Sequence, residues 1–126
     1  MRGVACEPGE VVETLLPVLG RKANPGGRPL SEALDGQCFK VLDGAGKIVA
    51  AYVLRGQGGE VWIQAAAGRA DIDLSDVIDD LIAKHGAGFE SIAFRTDRVG
   101  CVKKALRRGY RIVSTENGFT MRKKLK

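Results

Sequence analysis

A chain of 126 residues has room for one domain (1–126) with one core, and its 44% hydrophobic and 28% charged content is that of an ordinary globular protein. No apolar run reaches membrane-spanning length, and the opening MRGVACEPGE lacks the apolar stretch of a signal peptide, so the expectation is a cytoplasmic protein with no membrane partner. The net charge of +5 is uneven, with nine Lys/Arg against twelve Asp/Glu in residues 1–85 and eleven against three in 86–126. A basic C-terminal third fits an anionic partner (nucleotide cofactor, nucleic acid or acidic protein) or a solvated face.

The first periodic segment is a helix over 10–19, with Val11, Val12, Leu15, Leu16 and Leu19 on one face; Pro17 predicts a kink or an early end. Residues 21–29 read as loop and 31–34 as a single helical turn. Apolar runs at 38–42 and 47–54, separated by Asp43-Gly-Ala-Gly46, read as a hairpin. Gly58 and Gly59 then turn the chain into a third antiparallel strand, 60–66. A helix over 71–85 follows, with Leu74, Val77, Ile78, Leu81, Ile82 and His85 on its apolar face. The next strand, over 89–95, completes a βαβ unit in which 91–94 should run parallel to 61–64. Thr96 and Asp97 are cap candidates for a basic helix ending at Arg108 and buried through Val99, Val102, Ala105 and Leu106. Strands 110–115 and 119–123, joined at Asn117-Gly118, form the last hairpin.

The stretch EVWIQAAAGRA, residues 60–70, carries the functional signal. A strand breaks into a small-residue turn and a helix begins at once, which gathers backbone N–H groups and a helix N-terminus at one place, a general recipe for holding phosphate. Asp71 and Asp73 work against it, because they put carboxylates where an anion would sit.

The order of helix, three-strand meander, βαβ unit, last helix and C-terminal hairpin resembles the GNAT superfamily of acyl-CoA-dependent N-acetyltransferases. The family's turn, Gln/Arg-x-x-Gly-x-Gly/Ala, is matched by Ala65-x-x-Gly68-x-Ala70, which agrees at two of three marked positions. Gly109-Tyr110 falls where the family shows Gly-Phe or Gly-Tyr. The resemblance implies a GNAT-like mixed α/β sheet and acetyl-CoA as cofactor. It also implies that the amides of Gly68, Arg69 and Ala70 hold the pyrophosphate and that the backbone of Ile63, Gln64, Ala65 and Ala66 supplies the N–H that polarises the thioester carbonyl. The family's Asn and catalytic Tyr in the last helix are replaced by Arg98 and Ala105.

For a small-molecule or peptide amine as acceptor, Glu60 is the one carboxylate on the proposed strand and a candidate general base. Its other reading is a solvated strand-opening residue beside the Gly58-Gly59 turn. Arg69, Arg98, Lys103 and Lys104 could meet CoA phosphates or simply solvate a helix face. Cys101 and His85 read as core residues. The three cysteines, Cys6, Cys38 and Cys101, are widely spaced with no CxxC pair, which fits reduced thiols and not a zinc site. Two readings stay open: an N-acetyltransferase, or a GNAT-like domain that has lost catalysis and binds protein or nucleic acid.

Overall fold

The computed structural model describes residues 2–19, 34–68, 84–85 and 88–125. The chain runs β1 (Arg2–Cys6), a 3₁₀ turn (Pro8–Glu10), α1 (Val12–Leu19), β2 (Gln37–Leu42), β3 (Ile48–Gln57), β4 (Glu60–Gly68), β5 (Ser91–Thr96), α2 (Val99–Arg107), β6 (Arg111–Ser114) and β7 (Phe119–Lys124). The seven strands form one sheet in the order β1-β2-β3-β4-β5-β7-β6. Among the described residues the only parallel pair is β4 with β5, in the register Glu60↔Ser91, Val61↔Ile92, Trp62↔Ala93. That is the pairing expected of a βαβ unit.

Local chemistry explains the turns. Asp43 Oδ1 accepts from the amides of Ala45 (2.8 Å) and Lys47 (3.0 Å), which closes the β2–β3 hairpin. Gln57 pairs with Glu60, and the two residues between them, Gly58 and Gly59, have φ of 55° and 82°. That is the left-handed pair a two-residue hairpin needs. Asn117 and Gly118 also take positive φ, 55° and 101°, but within a longer turn, since the β6–β7 ladder ends at Ser114↔Thr120.

The sheet has two different faces. On one, Val41, Tyr52, Leu54, Val61, Ile92 and Met121 pack with Val102 and Ala105 of α2 and with Tyr110. On the other, Cys38, Ala51, Val53 and Ala65 pack under Val11 and Leu15. No helix among the described residues is long and apolar enough to cross a membrane.

Several expectations need correction. β1 has no apolar period of its own and is a strand because it pairs with β2, from Arg2↔Leu42 to Cys6↔Cys38. α1 continues past Pro17 to Leu19, so the proline removes a hydrogen bond without ending the helix. Val99 and Leu106 are 58% and 48% exposed, not buried; the short helix reaches the core through Val102 and Ala105. The residue that caps α2 is Arg98, in extended backbone and with no side-chain cap bond, while the Thr96 hydroxyl accepts from the Arg98 amide (3.1 Å). Of the helix expected over 71–85, Lys84 and His85 are described and both are helical. The loop over 21–29, the turn at 31–33, Arg69, Ala70, Asp71 and Asp73 lie outside the described residues.

Candidate functional site

β4 and β5 pair at three positions and then part. Beyond Trp62, β4 continues to Gly68 hydrogen-bonded to β3. Beyond Ala93, Phe94 to Thr96 pair with β7. The result is a fork whose two limbs, 63–68 and 94–96, open between adjacent strands of one sheet. Backbone groups on the inner edges of the limbs have no strand partner among the described residues.

A β-bulge marks where the fork opens. Val53 pairs with Ala65 and Leu54 with Ile63, so Gln64 has no opposite residue on β3. Such an extra residue sharpens the twist and bends the strand that carries it. It also resets the alternation of β4. Ile63 belongs with Leu54 on the α2 face, Ala65 and Ala67 lie on the α1 face, and Ala66 comes opposite Tyr52. The Gln64 amide reaches the Asp35 carbonyl at 3.3 Å. Gly36 makes that approach of the 34–36 segment possible, since a Cβ there would lie 2.4 Å from the Leu54 carbonyl oxygen. Asp35 in turn pairs with Arg55 (3.3 Å).

The β4 limb ends in small residues, Ala65 to Gly68, where a ligand would need room. Ala66 and Gly68 are exposed. The other limb leads into α2, whose first turn holds no acidic residue and whose N-terminus has no side-chain cap. Among the described residues no side chain caps its N–H groups, and the positive end of its dipole favours an anion there. The structure thus brings Ile63, Gln64, Ala65 and Gly68 onto one limb and Arg98 to the end of the other. Ala105, at the family's tyrosine position, is buried in the core.

Glu60 lies elsewhere, at the closed end of the fork. Arg122 grips it with two of its three guanidinium nitrogens, Nε to Oε2 at 2.5 Å and Nη2 to Oε1 at 3.0 Å, and Ser91 Oγ donates to Oε2 at 2.6 Å. The Arg122 guanidinium holds this carboxyl below the usual glutamate range. Behind the open limb, on the α2 face, Tyr52 OH is hydrogen-bonded to His85 Nδ1, and Phe39 stacks on both rings, at 5.0 Å from Tyr52 and 4.4 Å from His85. Burial pushes the Tyr52 phenol up and the His85 imidazole down. Sequence reasoning found neither Tyr52 nor the Arg122 partner of Glu60, because both act through residues distant in the chain.

No known family profile matches this chain, and no curated protein matches it. Solved structures do. A Bacillus subtilis acetyltransferase in complex with CoA is 20% identical and aligns over 96% of this chain and 95% of its own, with a TM-score of 0.68. A GNAT-family acetyltransferase from Staphylococcus aureus Mu50 is 11% identical over 99% of both chains, with a TM-score of 0.72. A GNAT-family acetyltransferase from Elizabethkingia anophelis with acetyl-CoA bound is 13% identical, covering 97% and 96%, at 0.67. The chain has the GNAT fold.

Proposed function

We propose that this GNAT fold binds an acyl-CoA in the β4–β5 fork and transfers the acyl group to an amine. One observation carries the reading. The sheet opens at the Gln64 bulge and leaves an edge with no strand partner among the described residues, beside small side chains and a helix N-terminus with no side-chain cap. Unpaired backbone amides are costly unless something satisfies them. A linear, amide-bearing arm lying between the limbs does so.

Acyl-CoA supplies an activated thioester, and the rest falls to the chain. The inner edge of 63–68 would bind and orient the arm as an added strand. A backbone N–H near Ile63 to Ala65 would polarise the thioester carbonyl, which asks nothing of side-chain identity. Gly68, Arg69 and Ala70 would hold the pyrophosphate, with Arg98 at the facing limb. Both oxygens of Glu60 are engaged, so we assign it a bracing role at the closed end and leave deprotonation of the amine to water. The alternative of a protein- or nucleic-acid-binding module gains no support from the comparisons.

Titration calorimetry with acetyl-CoA and CoA is the deciding experiment. The expected result is one site for each. No heat at millimolar ligand with folded protein overturns the proposal.

A further inference from the structure

The fork can be approached from only part of its surroundings. On the α2 face the sheet is covered by α2, and His85 sits against Tyr52 and Phe39 there. On the opposite face, α1 packs on β3 and β4, through Val11 and Leu15 against Val53 and Ala65. Among the described residues, the cluster under α1 takes in none of β5, β7 or β6, and an acceptor reaching a carbonyl held in the fork would cross that part of the face.

That part of the face is cationic. Register and alternation place Arg95, Arg111, Arg122 and Lys124 on it, from three neighbouring strands. Arg95 is the first side chain of β5 on this face beyond the fork. Arg95, Arg111 and Lys124 are exposed. Among the described residues, only Arg122 of these four has an acidic partner, Glu60. Arg95 makes one weak bond, Nε to Thr120 Oγ1 at 3.4 Å, and no carboxylate pairs with it, with Arg111 or with Lys124 among the described residues. Arg111 stands directly opposite Arg122. Like charges facing each other across strands destabilise a sheet. A face built that way gains when an anion settles on it, and guanidinium forks match carboxylates in two-point geometry. Trp62, in register with Ala93 and Arg122, gives this face a half-buried aromatic wall at the base of the fork.

We infer that the acceptor is a carboxylate-bearing amine, with an acid group docked on Arg95 beside the open limb and, in a polypeptide, a second on Lys124 four positions along the face, while its amine enters the fork. This rests on the acyl-CoA reading, and the experiment separates the two. Transfer is measured by thiol release from acetyl-CoA, with glutamate against its diamide, and with a lysine peptide flanked by glutamates against the same peptide flanked by glutamines. The first pair tests a small acceptor and the second an acidic polypeptide.

The expected result is about a fivefold higher kcat/KM for the acidic member of at least one pair, in line with two or three rim charge pairs. The preference shrinks as salt rises. In Arg95→Gln with Lys124→Gln it disappears through KM, while CoA affinity by calorimetry holds. Equal rates within both pairs, with CoA binding intact, overturn the anionic acceptor and leave the acyl-CoA reading standing. If CoA does not bind, the acyl-CoA reading falls, and direct binding of the labelled acidic peptide against its glutamine counterpart decides the face. Equal affinities there overturn the inference as well.

Discussion

Glu60 and Arg122 tie three strands together, because the guanidinium on β7 reaches across β5 to both carboxylate oxygens on β4. The Glu60 side chain is 14% exposed and that of Arg122 41%, so water screens the pair only partly. Glu60→Gln should lower stability at pH 7 by about 1–2 kcal/mol, between the values of surface and buried pairs. Because the folded carboxyl titrates below its ordinary 4.5, its contribution is complete above that value and fades as pH falls through the lowered one. Urea unfolding from pH 7 to 3 should therefore show wild type and Glu60→Gln converging only below pH 4.5. A hundredfold loss of transfer in a folded Glu60→Gln would instead make Glu60 the base.

His85 titrates in the opposite chemical sense and in a higher window. Burial, then the nearby Lys84 charge, lowers its folded value below 6.5. The unfolded chain thus takes up the proton first, and stability falls as pH drops through 6.5 toward the lowered value. Thermal melts from pH 8 to 5.5 should show this loss in wild type. His85→Gln should flatten the profile, and an equally steep slope in that variant would place the titrating group elsewhere.

The meander and the βαβ unit were legible because their signals are local. Asp43, the Gly58-Gly59 pair and Asn117-Gly118 each specify a turn with their own side chain or backbone freedom, and alternation fills the strands between them. The fork was legible only in part. Ile63, Gln64, Ala65 and Gly68 came from a family resemblance, whereas the bulge at Gln64 exists only relative to β3, and EVWIQAAAG reads as an unbroken strand by itself. Glu60 invited a catalytic reading while Arg122, 62 residues away, was out of sight. β1 failed for the same reason, since pairing with β2 makes Arg2–Cys6 a strand. Helical period misplaced Val99 and Leu106 because it says which side chains share a face, not how far a nine-residue helix sinks into a core.

Ala66 offers a steric test of the fork. It is exposed, on the open limb and opposite Tyr52. Ala66→Phe adds bulk without displacing core, so the melting temperature should stay within about 2 °C, as for ordinary surface changes. CoA affinity should fall at least about tenfold, about 1.4 kcal/mol, from lost access to the strand edge. Undiminished affinity in calorimetry would put the ligand somewhere other than between β4 and β5.

Cys6 and Cys38, 32 positions apart and read from sequence as unrelated thiols, face each other in register across β1 and β2. Both side chains belong to the cluster under α1, so they share a face. Directly opposed residues of antiparallel strands have Cα atoms about 4.5–5.5 Å apart, inside the range a disulfide accepts. Exposure to excess glutathione disulfide should let the partly exposed Cys6 thiolate attack first and expel one glutathione. Cys38 then displaces the second, leaving one intramolecular disulfide and two reduced glutathiones. Burial raises both thiols above 9.0, so the reaction should accelerate with pH up to and past that value. Peptide mapping should find the Cys6–Cys38 link with Cys101 outside it. Cys38→Ser should stop at the mixed disulfide on Cys6. Recovery of glutathione on Cys6 in the wild type, with no internal link after prolonged oxidation, would show that the two sulfurs do not come within bonding reach.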